Sequence, residues 1–265
     1  MTIQTDEAPR ISDAQIVEIM RLLKGADTVE LKVSIPTDAH RATIQGLPLD
    51  PVEAQPRQIW FFDTPDLALN QAGIVVRARR IQGGRGDTVI KLRPVVPSEL
   101  PEDLRTSGSL NVEVDVLPGG FVCSASFKGR SDGAAVNAAI SGKTPLRKLF
   151  SRDQRTFYAE RAPAGIDLDS LVSLGPTYVL KGQFTPQELG RRVVAEMWLY
   201  PDGSRILELS TKCLPSEAFQ VSAETRAYLA ERGVNLGGTQ QTKTRAALDF
   251  FTNQLKSELR GEEAG

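Results

Sequence analysis

Charged residues recur two apart along much of the chain: Glu30 with Lys32, Arg77 with Arg79, Lys91 with Arg93, and Glu113 with Asp115. Apolar residues fill the places beside them, among them Leu31, Val33, Val76, Ile90, Val112 and Val114. Strand side chains two apart share a face, so each pair lies on one side of a sheet and the apolar set on the other. A solvent-facing sheet shows this alternation. So does a closed sheet whose apolar face lies outward under helices, and that arrangement encloses the charges in a lumen. Arg and Lys clustered in a confined space need an anion. Phosphate suits them, because Arg forks bind its oxygens bidentately and Lys adds point charge. Carboxylates in the same lumen are hard oxygen ligands for Mg²⁺ or Mn²⁺.

The last hairpin sharpens this. Pro201-Asp202-Gly203 is a turn signal between two alternating runs, 191–200 and 204–212. A three-residue loop pairs Tyr200 with Ser204 and sets Glu196 opposite Glu208. Like charges directly opposite are destabilising unless a cation or metal stands between them. Lys212 continues that face, whereas a two-residue turn would shift the register.

The elements that must position these residues are legible in outline. Ser12 to Lys24 reads as a helix, with Ser12 as cap, Gln15 at the capping-box position and Ile16, Ile19, Met20 and Leu23 as an apolar stripe. From Thr28 to Ile35 the period becomes two. Further strands are expected at 58–63, 73–80, 87–93, 110–117, 154–160 and 178–184, with a helix at 131–141 and a Gly-rich hairpin turn at 83–86. Helices are expected again at 216–231 and 242–260. Strands recur without regular helix alternation, so the expected fold is α+β, one antiparallel sheet or barrel with peripheral helices and no linker. The chain is read as one domain, 1–265, with its core at about 28–250.

Composition sets the outer bounds. In 265 residues, 32 Lys plus Arg face 33 Asp plus Glu, a net charge of −1 that argues against a generally basic nucleic-acid binder. No apolar run is long enough to span a membrane. Cys123 and Cys213 lie far apart without metal-ligand spacing, which suits a reducing compartment, and the N-terminal residues are polar and acidic, so cytoplasm is the expected location. The only histidine, His40, argues against a His-based zinc site or triad and is expected in a loop or at the surface. Trp60 and Trp198 read as packing residues, with Trp198 on the face of Glu196.

The run Val29-Glu30-Leu31-Lys32 resembles the first-strand ExExK signature of the CYTH proteins, the triphosphate tunnel metalloenzymes. Phe61-Phe62-Asp63-Thr64-Pro65-Asp66-Leu67-Ala68-Leu69, followed by Gly73 to Arg80, is similar to that family's most specific stretch. Ile90 to Arg93, Val112 to Asp115 and Ile206 to Ser210 follow in the expected order. The resemblance implies an eight-stranded antiparallel β-tunnel that binds a small-molecule triphosphate or polyphosphate with Mg²⁺ or Mn²⁺. It makes Lys32, Arg77, Arg79, Lys91, Arg93, Arg155, Lys181 and Lys212 substrate ligands, and Glu30, Glu113, Glu196 and Glu208 metal ligands, with Asp115 a weaker one. Glu30, Lys32 and Arg155 become the catalytic set. Lys243 and Arg245, opening the last helix, match basic residues that reach the tunnel mouth. The implied activity is hydrolysis of inorganic, nucleoside or thiamine triphosphate; non-catalytic binding and ATP cyclisation are the alternatives. No nucleic acid or membrane partner is implied, and a homodimer is compatible. Two departures bear on hydrolysis: Thr28 stands where the pattern has its first Glu, and Ser210 where a second Glu is common.

Overall fold

A computed structural model describes residues 12–262 apart from 107, 235 and 237–242; side chains are described through Leu255. The chain runs α1 (Asp13–Leu23), β1 (Thr28–Ile35), α2 (His40–Gly46), β2 (Gln55–Asp63), α3 (Ala68–Gln71), β3 (Ile74–Ile81), β4 (Arg85–Leu92), α4 (Glu102–Arg105), β5 (Leu110–Leu117) and β6 (Gly120–Asp132). It continues α5 (Gly133–Ile140), α6 (Arg152–Ala159), β7 (Val172–Phe184), β8 (Val193–Leu199), β9 (Arg205–Cys213), α7 (Ala218–Glu231) and α8 (Lys243–Glu262). The strands close a barrel in the order β1-β5-β6-β4-β3-β2-β7-β8-β9.

The architecture is the expected closed sheet under helices, with two corrections. The barrel has nine strands, not eight, and it is mixed: β1 runs parallel to β5, from Thr28↔Glu113 to Leu31↔Val116, while the other neighbours are antiparallel. The two facts are one, because a ring in which every neighbour is antiparallel needs an even number of strands. The strand that sequence periodicity missed is β6. Its inner face carries Ser124, Ser126 and Lys128, with the small residues Ala125 between the serines and Gly129 after the lysine. That composition gives a weak strand signal.

The second correction concerns residues 154–160, expected as a strand. They belong to α6, outside the barrel. Ser151 caps it, with the reciprocal Gln154 contact of a capping box. Gln154 is buried and binds inward, accepting from Thr88 Oγ1 at 2.9 Å and donating to the Phe127 carbonyl at 3.2 Å. Gly129 makes room for this: a Cβ there would lie 2.4 Å from Gln154 Oε1.

His40 is also buried rather than exposed. It opens α2, and its Nε2 lies 3.0 Å from the carbonyl of Ile35. Ser12 and Gln15 form the expected capping box on α1. Tyr200 donates to Ser204 at 3.0 Å across the three-residue loop, and the register places Glu196 opposite Glu208 as expected.

Apolar packing lies mainly outside the barrel. Val29 and Leu31 pack with Ile19, Leu22 and Leu23 of α1 and Val221 of α7. Val76, Ala78 and Ile90 pack with Val136 of α5 and Phe157 of α6. Burying each such side chain contributes about 1.5–3 kcal/mol, and it fixes the charged alternates on the inside. One cluster differs. Ile59, Phe61, Leu174, Trp198, Tyr200 and Ile206 pack with Ala247, Leu248 and Phe251, so α8 lies over one end of the barrel, above parts of β2, β7, β8 and β9. No helix among the described residues is long and apolar enough to cross a membrane.

Candidate functional site

The barrel encloses a cavity of about 880 Å³ whose lining includes nearly all the predicted residues. The wall formed by β1, β5, β8 and β9 is acidic. At the parallel seam, Glu30 of β1 lies beside Asp115 of β5, and Thr28 beside Glu113. Glu30, Glu113 and Asp115 each bring a carboxylate oxygen within 4.8 Å of the others. Three hard oxygen donors at this spacing fit a divalent cation. Two lysines share the same group. Lys32 Nζ is 3.1 Å from Glu30 and 2.8 Å from Asp115. Lys212 bonds to Glu113 and lies 3.7 Å from Glu30. Burial alone would raise the Glu30 pKa, but Lys32, Lys212 and Lys243 outweigh it and hold the carboxyl at about 2. Despite burial, Asp115 and Glu30 push the Lys32 ammonium above its ordinary value. Thr28, standing where a carboxylate was expected, donates its hydroxyl to Glu113 at 3.2 Å.

Glu196 and Glu208 form a second acidic pair. The cation that their opposition requires is Lys243, the first residue of α8, whose Nζ is 2.5 Å from Glu196 and 2.6 Å from Glu208. Trp198 Nε1 donates to Glu196 at 3.3 Å, and the Lys243 ammonium lies 5.1 Å from the Trp198 ring centroid. Burial works against the charge on both residues. The ion pair reverses that, lowering the Glu196 pKa and raising that of Lys243.

The wall formed by β2, β3, β4 and β7 is basic. Arg79 is bonded to Asp87, its cross-strand neighbour, and Arg93 lies 3.8 Å from Asp115. Among the described residues, Arg77, Lys91 and Lys181 have no carboxylate within ion-pair distance, and Arg77 Nε has no hydrogen-bond partner. Burial lowers the pKa of Lys91 to about 8. Burial, with Arg79 beside it, also lowers that of Arg77, and burial and Arg57 lower that of Lys181. These side chains carry charge at a cost that a bound anion would offset.

The structure therefore brings together Glu30, Lys32, Arg77, Arg79, Lys91, Arg93, Glu113, Lys181, Glu196, Glu208 and Lys212 around one cavity. It does not bring Arg155 there. Arg155 sits on α6 and donates to the carbonyl of Phe150 at 2.7 Å, lining a separate outer depression with Arg147 and Asp169. Asp115, ranked below the glutamates, is 2% exposed and central to the acidic group. Arg57 lies on β2, one residue before the start that periodicity gives that strand; burial and Arg79 lower its pKa to about 10. Lys128 was lost with β6.

No family model matches the sequence, and no curated protein matches it. Solved structures do match. One is a candidate adenylyl cyclase from Hippeastrum described as having a dominant triphosphatase activity, with TM-score 0.63 and 16% identity over 82% of this chain and 93% of that one. Another is a candidate adenylate cyclase from Bacillus halodurans, with TM-score 0.58 and 12% identity over 83% of this chain and 97% of that one. At such identities the likeness is one of fold, and the fold of this chain is the closed β-tunnel of the CYTH-type proteins.

Proposed function

We propose that this protein binds the triphosphate group of a small molecule in its tunnel and hydrolyses the terminal anhydride with the help of Mg²⁺ or Mn²⁺. The observation that carries the reading is the set of unpaired cations, Arg77, Lys91 and Lys181, facing one cavity beside a three-carboxylate cluster. The description of the Hippeastrum neighbour as a triphosphatase agrees with it.

Arg77 and Arg79 of β3, Lys91 of the adjacent β4 and Arg93 just after it would hold the phosphate chain along the basic wall; Lys181 approaches from β7. Such positioning and charge neutralisation account for most of catalysis in phosphoryl transfer. Glu30, Glu113 and Asp115 would hold the divalent ion, which supplies neutralisation of phosphate oxygens when bound. Lys32, between Glu30 and Asp115, orients those carboxylates and is placed to pass to a phosphate oxygen when substrate enters. Glu30, held ionised, accepts a hydrogen bond from the attacking water and aims it at the terminal phosphorus, and the water's proton leaves on the released phosphate. The leaving diphosphate, free from inorganic triphosphate and esterified from ATP or thiamine triphosphate, stays against Arg77 and Lys91.

Phosphate release from inorganic triphosphate, ATP and thiamine triphosphate with Mg²⁺ or Mn²⁺ tests this. Turnover of at least one that falls by an order of magnitude or more in Arg77→Ala is the expected result. Release no faster than in a Glu30→Ala control removes the hydrolytic part. A second reading, polyanion binding without turnover, is favoured by the internal lysine already bonded to each acidic group. Tight triphosphate binding without phosphate release would select it. Cyclic AMP formed from ATP would select the cyclase instead.

A further inference from the structure

The Glu196–Glu208 pair has the form of a cation site, and the chain itself fills it. Both carboxylates are largely withdrawn from water, at 16% and 5% exposure, so neither can be left uncompensated. The compensating ammonium comes from outside the sheet. Lys243 lies 35 residues beyond the nearer glutamate in sequence and is carried in at the first residue of α8. Its backbone is fixed as well as its charge. Tyr200 donates its hydroxyl to the Lys243 carbonyl at 3.0 Å, and the next turns of the helix bury Ala247, Leu248 and Phe251 in one cluster with Ile59, Phe61, Leu174 and Trp198. One ammonium thus touches two opposed carboxylates and an indole ring at once, in a position that an ion would otherwise need to occupy.

We propose that Lys243 is a tethered cation standing where a divalent ion would bridge Glu196 and Glu208. The tunnel then takes a divalent ion at Glu30, Glu113 and Asp115 only, and the same contact pins α8 over the end of the barrel. Charge accounts for the choice: one ammonium between two carboxylates leaves the pair with a net charge of −1, and the Trp198 indole N–H is shared with Glu196. The proposal rests on the reading of the tunnel as a divalent-ion site for its count in the native chain, but not for the exchange of lysine against metal.

Bound Mn²⁺ can be counted by electron paramagnetic resonance of the free ion in the full chain. Lys243→Met is expected to bind one more Mn²⁺ than the native protein, and Lys243→Arg, which keeps the charge, to bind the native number. In the native background, Glu196→Gln should leave the count unchanged while Glu30→Gln lowers it. The gained ion should also restore thermal stability lost in Lys243→Met, a readout independent of activity. Equal counts in the native chain and Lys243→Met, including none in both, overturn the proposal. If Lys243→Met does not fold without metal, refolding it in Mn²⁺ decides the matter: recovery supports the exchange, and failure to recover overturns it. Loss of an ion on Glu196→Gln overturns it independently. A native chain that binds no Mn²⁺ beside a Lys243→Met chain that binds one would uphold the exchange and remove the Glu30 site.

Discussion

On the wall of β1, β5, β8 and β9, each carboxylate of the site meets an internal ammonium: Lys32, Lys212 or Lys243. On the wall of β2, β3, β4 and β7, Arg77, Lys91 and Lys181 meet no carboxylate among the described residues. Both walls arise from the same alternation of charged and apolar residues, yet one is neutralised from within and the other is not. The difference lies in compensation: the acids have internal ammonium partners, whereas Arg77, Lys91 and Lys181 have no carboxylate partner among the described residues.

The comparison breaks most sharply under substitution. Lys32→Met should destabilise the ligand-free protein by about 3–5 kcal/mol in denaturant unfolding, because it leaves Asp115 buried without its closest partner. Arg77→Met, on the opposite wall, should be neutral or stabilising, since it removes a buried charge that has no partner. Equal losses in the two variants would mean that the walls do not differ. Binding inverts the order. Calorimetry with inorganic triphosphate should find Arg77→Ala weaker by about 10- to 100-fold, the range of a lost charge-assisted hydrogen bond.

Lys91 allows a pH test with a fixed sign. Its pKa in the fold is about 8, below the ordinary lysine value of 10.5, so between those limits the unfolded chain binds the extra proton. Stability of the native protein relative to Lys91→Met should therefore rise with pH across that window, at no more than about 1.4 kcal/mol per pH unit. Saturating triphosphate should abolish the rise by keeping Lys91 protonated. The smallest effect belongs to Arg155→Ala, whose side chain lies outside the barrel. Its triphosphate affinity should stay within about twofold of native, the size of a surface change.

Much of the barrel was legible because its strands bury one face and charge the other. That contrast marks Thr28 to Ile35 and Leu110 to Leu117 clearly, and the turn at Pro201 was enough to set Glu196 against Glu208. β6 escaped because small polar residues on its inner face blur the contrast. Arg155 was misplaced although the Ser151–Gln154 capping box was present in sequence; reading that box would have turned the segment into a helix and Arg155 outward. Asp115 reaches Glu30 only through the parallel pairing of β1 with β5, a neighbour that strand periodicity does not reveal. The partner of Glu196 and Glu208 was inferable in charge but not in identity. A register argument shows that a cation is needed, while only the packing of Ala247, Leu248 and Phe251 determines which lysine arrives.

The parallel seam also orders events in time. β3–β4, β5–β6 and β8–β9 are neighbours along the chain and can pair locally, but Thr28 and Glu113 are 85 residues apart. Contacts over such separations form slowly, after shorter loops have closed. Glu30, Glu113 and Asp115 therefore meet only after the local hairpins have formed, and the same strand β1 must also find β9, where Val29 lies opposite Cys213, a longer separation still. Anything that bridges the carboxylate cluster therefore also staples two strands that are distant in sequence, so the site's occupant contributes to holding β1 in the ring.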